Sequence, residues 1–376
     1  MRLFSRPFAF VRWQNASTAK PVSVASRRRT AKRAVIAGFA CFLLLSLGLG
    51  VTSEVYPRIR DPFYGDKLVK LKPKLGTAPL VVMLGTSRTG FGFHGIHIED
   101  TVLRETGRPI AAFNYGIPAS GPITHLIYLK RLIEDGATPD LLILEVLPSM
   151  LANTNTGPLE RHWVFGERLT HREIPLVVHH GFDETEVTTR WRGATFNPWY
   201  TLRFQLLGRV VQSWIPWQCR FDWSRGTDRC GWGTPLRDVS TPEERAIGAI
   251  HAKNEYFAVL HNLQPNGHAV AALRDLLRVC NERGIAVKLL QMPESVEFRS
   301  WYSPEVNRRL MAMYADLGCE MILASDWVPD ELFTDGHHLL RPGAERFSER
   351  LARDVLIPWH NRYAKRAARW TRSCND

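Results

Sequence analysis

The stretch Val81-Val-Met-Leu-Gly-Thr-Ser-Arg-Thr89 decides how the rest of the chain is read. Pro79 breaks what precedes it, and Leu80 to Leu84 are five apolar residues in a row. A strand buried on both faces, as in a parallel sheet, reads as such a continuous run rather than as an alternation. Gly85 ends the run, two small hydroxyl residues follow, and helical spacing resumes through Ile96, Ile98, Val102 and Leu103. Open α/β sheets bind ligands at the carboxyl ends of their strands. A serine there, Ser87, stands at a helix start whose backbone N–H groups can hold an anion. The same residues also make an ordinary polar turn, so the functional reading rests on what the rest of the chain adds.

Pro109-Ile-Ala-Ala-Phe113 reads as a second short strand, running into Asn114-Tyr-Gly-Ile-Pro-Ala-Ser-Gly121. Ile123 to Glu134 has helical spacing and is stopped by Gly136 and Pro139. Asp140 to Leu147 is a third, almost wholly apolar strand. Alternation of strand and helix with short connections predicts a doubly wound, mostly parallel α/β sheet. After a long interruption, Thr241-Pro-Glu-Glu244 starts a helix with Pro in its first turn. Helical pattern runs to about Leu263 and again from Val270 to Arg283. A fourth strand follows at Ile285–Gln291, a helix near Pro304–Leu317, a short strand at Glu320–Leu323, and a closing helix near Gly343–Leu356.

Before that last helix stands Phe333-Thr-Asp-Gly-His-His-Leu-Leu-Arg-Pro-Gly-Ala344. An early serine block paired with a late Asp-x-x-His block resembles the SGNH (GDSL-like) hydrolase superfamily, over roughly Leu80 to Leu356. The resemblance implies a flavodoxin-like sheet, with Ser87 as nucleophile, His338 as base and Asp335 as the group that orients it. It further implies that the backbone N–H groups of Ser87 and Gly116 hold the oxyanion, with Gly121 as the second glycine candidate. His337 competes with His338, but its spacing gives Asp-x-His instead of the family pattern. The third family block, Gly-x-Asn-Asp, is not matched: Glu145-Val-Leu-Pro-Ser149 stands in its place, and Asn153 and Asn155 lie off the motif spacing. Glu145, Arg88 and Asn114 are expected to support the site; Glu145 is a candidate to stand behind the reacting groups or to meet substrate, with a carboxylate simply paired to Arg88 or a neighbour as the favoured alternative.

The net charge of +12 is not spread evenly. Residues 1–33 hold nine Lys/Arg and no acid, which leaves the other 40 basic residues against all 37 acidic ones, or +3. A near-neutral body argues against a nucleic-acid-binding domain. Ala34 to Ser53 carries no charge; twenty residues span roughly 30 Å as a helix, one hydrocarbon core. With the basic cluster before it, the positive-inside rule predicts a cytoplasmic N-terminus and an extracytoplasmic body, anchored in the inner membrane. A cleaved signal peptide, with Val51-Thr52-Ser53 as its small-residue site, is the alternative.

The expected organisation is a basic tail (1–33), an anchor (34–53), a tether (54–78), the first part of the α/β domain (79–150), a Trp-rich insertion (151–245), the second part (246–358) and a basic tail (359–376). The insertion holds seven of the twelve Trp, interleaved with Arg and His. Its aromatic and Arg planes suit sugar rings or lipid headgroups, or serve as staples in a lid. An extracytoplasmic body permits disulfides. Cys219 and Cys230, flanking a polar Trp-containing loop, are the expected pair. No Cys-x-x-Cys or His-x-x-x-His spacing suggests a metal, and no cofactor is expected.

The sequence and the resemblance together lead to an anchored serine esterase or O-acyltransferase acting on a cell-envelope glycan or related ester. A multi-spanning membrane acyltransferase is the expected partner if the reaction is transfer. A non-catalytic glycan-binding or assembly module is the alternative, supported by the unmatched third block.

Overall fold

The structure, a computed structural model, describes residues 24–154, 157–162, 166–215, 226–233, 238–265 and 267–373. In chain order its principal elements are α1 (Val24–Val55), α2 (Pro62–Leu71), β1 (Leu80–Gly85), α3 (Ser87–Gly92), α4 (Gly95–Thr106), β2 (Ala111–Gly116), α5 (Pro122–Glu134) and β3 (Leu141–Glu145). The insertion contributes α6 (Glu184–Phe196) and α7 (Arg203–Val210). Then come α8 (Pro242–His261), α9 (Gly267–Glu282), β4 (Ala286–Gln291), α10 (Pro304–Asp316), β5 (Met321–Leu323), α11 (Arg341–Leu351) and α12 (Ile357–Ser373).

The five strands form one sheet in the order β2-β1-β3-β4-β5, and every neighbouring pair is parallel. This 2-1-3-4-5 order is that of flavodoxin-like sheets. Alternate residues of β1 explain the two layers of helices. Leu80, Val82 and Leu84 enter one core with Leu126 and Leu129 of α5 and Leu273 and Leu276 of α9. Val81 and Met83 enter the other with Ile98 and Val102 of α4 and Phe347 and Leu351 of α11. Register brings Gly85 level with Gly116, and Glu145 level with Leu290, so the carboxyl ends of four strands meet at one edge.

The expected tether at residues 54–78 is instead part of the domain. Asp61 caps α2, and Pro62 sits in its first turn, where proline is tolerated. Tyr64, Leu68 and Leu71, spaced four and three residues apart, are buried in the first core. Lys67, also buried, donates to the carbonyls of Asn114 and Gly231 at 2.8 and 2.6 Å. The prolines and lysines that suggested a tether are thus helix starts and carbonyl clamps. The closing helix also continues beyond its expected end: through a π-helical turn it enters α12, where Trp359 and His360 are buried.

One helix among the described residues, α1, is long and apolar enough to cross a membrane. It begins at Val24, ten residues before the charge-free stretch, so residues 24–33 are helical; residues 1–23 of the basic tail lie outside the described residues. Its end is locked to the domain by Arg60, which is fully buried. The guanidinium donates to the Ser53 carbonyl (3.2 Å), Ser53 Oγ (3.1 Å), the Leu169 carbonyl (3.1 Å) and Thr195 Oγ1 (2.8 Å), and pairs with Glu54 at 2.8 Å.

The insertion is tied to the sheet by a second buried charge. Glu160 accepts from the N–H groups of Gly121, Ile123 and Thr124 at 2.9–3.0 Å and from Thr124 Oγ1 at 2.6 Å. These are orphan donors of the first turn of α5, and the helix dipole there favours a carboxylate. Burial nevertheless holds its carboxyl above the usual range, against the pull of those donors. Glu160→Ala should cost about 3 kcal/mol, because several buried donors lose their acceptor together. Denaturant titration of the full chain in detergent checks this; a loss as small as that of the exposed control Glu331→Ala would refute it.

Candidate active site

The turn between β1 and α3 is built around a buried carboxylate. Glu145, at the end of β3, accepts from Thr86 N (2.7 Å), Thr86 Oγ1 (3.0 Å) and Thr89 Oγ1 (2.6 Å). Gly85 is required by close approach: a Cβ there would lie 2.0 Å from Thr89 Oγ1 and 2.3 Å from Glu145 Oε2. Thr86 caps α3 by accepting from Arg88 N, which leaves Ser87 as the first helical residue. On the other side, buried Asn114 of β2 donates through Nδ2 to the carbonyls of Thr89 (2.8 Å), Gly90 (3.1 Å) and Phe93 (2.8 Å). The serine turn is therefore pinned between its two neighbouring strands.

The loop before α11 delivers the remaining groups. Ser87 Oγ lies 2.9 Å from His338 Nε2, and His338 Nδ1 lies 2.7 Å from Asp335 Oδ2. The other Asp335 oxygen accepts from the N–H groups of His337 (3.1 Å) and His338 (2.8 Å). Burial alone would raise the Asp335 carboxyl, but charge attraction and hydrogen bonding from His338 outweigh it and hold it far below the ordinary carboxylate range. An ionised Asp335 places the ring proton on Nδ1, so Nε2 presents its lone pair to Ser87. The serine, histidine and aspartate singled out from 251 residues of sequence separation thus meet in one relay.

The relay opens into a cleft of about 560 Å³. Pro118, Ala119, Leu147 and Met150 form an apolar side; Glu244, His251 and Glu255 of α8 form a polar one. Gly248 permits α8 to lie against the Asp335 loop, since a Cβ would stand 2.8 Å from the Thr334 carbonyl. Trp232, from the insertion, stacks on His94 at 3.9 Å and donates to the Phe91 carbonyl at 2.6 Å. Trp163, Trp217 and Trp223 lie outside the described residues.

Several expectations are corrected here. The Gly116 N–H is taken by Asn114 Oδ1 at 2.8 Å, and the Gly121 N–H by Glu160 at 3.0 Å, so neither glycine amide is free for an oxyanion. Ala119 lines the cleft beside Ser87 with φ of 56°, the one positive-φ non-glycine residue among those described. A non-glycine residue in that region is strained, and such residues cluster at functional sites. Arg88 does not pair with Glu145. Fully buried, it bonds Glu294 (3.1 Å) and the Pro293 carbonyl (2.8 Å). Glu294, three residues past β4, carried no sequence signal beyond its place at a strand end.

His337 is not a spare surface base: it is buried, its ring 4.1 Å from that of His338 and against Tyr256 and Phe298. Burial, with His338 adding to it, drives its imidazole well below the ordinary value and keeps it neutral. Asp335, His337 and His338 each bring a ligand atom within 4.8 Å of one another, as do His179, His180 and Asp275.

The disulfide expectation also changes. Cys219 lies outside the described residues, and Cys230 is a free, fully buried thiol packed on Gly95, with Sγ 3.6 Å from Glu99 Oε2. Burial, reinforced by Glu99, pushes this thiol up to about 12. Cys280 is likewise free and buried. No protein-family model matches the chain, and no curated protein matches it.

Two outcomes follow from this geometry. Arg88→Met should destabilise by about 3–5 kcal/mol, since it strands a buried Glu294 carboxylate, and Arg88→Met combined with Glu294→Gln should recover part of that. Calorimetry of both variants tests the pair; a double variant worse than the single one would break the argument. Cys230 should resist iodoacetamide at pH 8 in the native chain and be alkylated on unfolding without reductant. Mass spectrometry that finds it blocked in the unreduced, unfolded chain would restore the bridge.

Proposed function

We propose that the protein is a membrane-anchored serine esterase or O-acyltransferase of the SGNH-like type, acting through a Ser87 acyl-enzyme. The observation that carries this reading is the continuous Ser87–His338–Asp335 relay at the mouth of the cleft. A serine hydroxyl is a weak nucleophile until a neighbouring base takes its proton. His338 Nε2 accepts that proton as Ser87 Oγ attacks an ester carbonyl, and Asp335 stabilises the imidazolium. His338 then protonates the departing alcohol. In the second half, water or an acceptor hydroxyl gives its proton to His338 and takes the acyl group from Ser87, and His338 returns that proton to Ser87 Oγ as it leaves.

The oxyanion needs donors fixed before reaction. With the two glycine amides committed, the Ser87 N–H, an orphan of the first helical turn, and the Ala119 N–H are the pair we assign. The cleft's apolar side suits an acyl group and its polar side a hydroxylated acceptor, which supports an envelope glycan as substrate class. The single apolar helix α1 and the basic cluster before it support an inner-membrane anchor with the domain on the extracytoplasmic side. A multi-spanning acyltransferase remains the partner we propose for transfer.

The occupied Gly116 amide favours a second reading, a non-catalytic glycan-binding module on the same scaffold. A fluorophosphonate probe decides between them. The enzyme reading expects labelling of the full chain that is lost in Ser87→Ala and is insensitive to EDTA. Ser87→Ala and His338→Ala should each lose on the order of 10⁶ in kcat on an activated ester, and the double variant little more. Asp335→Asn should lose about 10⁴, since the ring stays in place with the wrong tautomer. An unlabelled wild-type chain, or equal labelling of Ser87→Ala, hands the site to the binding-module reading.

A further inference from the structure

The insertion carries a surface that the catalytic reading does not use. Between Glu186 and Asp222 there is no acidic residue, while Arg190, Arg192, Arg203, Arg209 and Arg220 all fall in that interval. Apolar side chains stand out from the same segment: Phe196 is 71% exposed, Val210 82% and Trp214 78%, with Tyr200 and Leu207 also exposed. The Arg203 guanidinium lies over the Tyr200 and Phe204 rings at 4.0 and 4.4 Å. Contiguous exposed apolar groups rimmed by basic ones mark an interaction surface.

Its position relative to α1 identifies what it meets. Ser46, Gly50 and Ser53 are the buried positions of α1, one per turn along a single stripe. That stripe packs on α6: a Cβ at Gly50 would lie 2.2 Å from the Thr195 carbonyl oxygen. Trp199, just after α6, donates from its indole N–H to Ser46 Oγ at 2.8 Å. Ser46 is seven residues before Ser53, the end of the charge-free stretch, which is roughly 10 Å along a helix. The rest of α1 around these positions, including Leu44, Leu45, Leu47 and Val51, is exposed. The domain therefore does not hang below the end of the apolar helix; it rides up its side.

We infer that residues 196–214 sit in the interfacial zone of the bilayer that α1 crosses, on the domain's side, with Phe196, Tyr200, Leu207, Val210 and Trp214 at the acyl boundary and Arg203 among anionic phospholipid headgroups. A bilayer crossed by α1 must meet any surface that flanks α1 about 10 Å inside its apolar limit. Interfacial amphipathic segments bury their apolar face about 5–10 Å deep, and Trp and Tyr concentrate at that level. This inference rests on the membrane-anchor part of the proposed function and on none of its chemistry.

The test uses the full chain in nanodiscs of phosphatidylethanolamine and phosphatidylglycerol. An environment-sensitive fluorescent amino acid is placed singly at Val210, at Leu44 in the anchor and at Leu103, a half-exposed position on α4. Brominated lipids should quench Leu44 and Val210 several-fold more than Leu103, and aqueous iodide should do the reverse. Quenching at Val210 should weaken when phosphatidylglycerol is replaced by phosphatidylcholine. If Leu44 is lipid-quenched while Val210 behaves like Leu103, the anchor stands and the interfacial surface is overturned. If Val210 is shielded from both quenchers, protein covers it, a second copy or a partner, and the inference is equally overturned. If Leu44 itself is not lipid-quenched, the anchor reading fails and this inference falls with it.

Discussion

The candidate site depends on one buried carboxylate that stands outside the Ser87–His338–Asp335 relay. Glu145 receives three donors from the turn that presents Ser87, two from Thr86 and one from Thr89. A buried carboxylate is costly unless its lone pairs are met, and here one turn meets them. The strand that ends in Glu145 thereby fixes the position of the serine one strand away. Asn114 does the same from the opposite side through three carbonyls of α3 and its loop. Ser87 is consequently held by the sheet itself, and rigid support of this kind is what a reacting group needs.

In the enzyme reading, the same economy of polar groups limits where a developing negative charge can be held. Every buried amide has to be partnered, and Asn114 satisfies Gly116 while Glu160 satisfies Gly121. The two glycines at which a family pattern looks for donors are spent on holding the β2–α5 connection in shape. Strain at Ala119 is the mark left on the backbone by that arrangement. Leu147 and Met150, which follow the end of β3, give the cleft much of its apolar side.

Much of this was legible in the sequence, and the physical reason is plain in each case. β1 and most of β3 are continuous apolar runs because both faces are covered, and each of the five strands falls within a few residues of its expected place. Ser87, Asp335 and His338 were legible because an early serine block after a strand and a late Asp-x-x-His block carry the resemblance, not because the chemistry fixes their order. What stayed hidden was long-range pairing between polar groups. Arg88 meets Glu294 across more than two hundred residues, and no local pattern encodes that. The segment at 54–78 was misread because its three prolines and four lysines suggest a linker, while the helical spacing of Tyr64, Leu68 and Leu71 is short. Whether a glycine amide is free cannot be read from the glycine: it depends on Asn114 and Glu160, which the fold brings to it.

The Arg60 clamp has a consequence for kinetics. A flexible linker would let a tethered domain tumble, so that each meeting with a substrate would have to select one orientation among many. Here five polar contacts weld the end of α1 to the body. In the membrane reading, tilt and height of the cleft are then settled at folding, before any substrate arrives. The search is reduced to lateral diffusion and rotation about one axis. The orientational entropy that docking ordinarily costs is already spent, and a membrane-borne donor or acceptor is favoured over the same group free in solution.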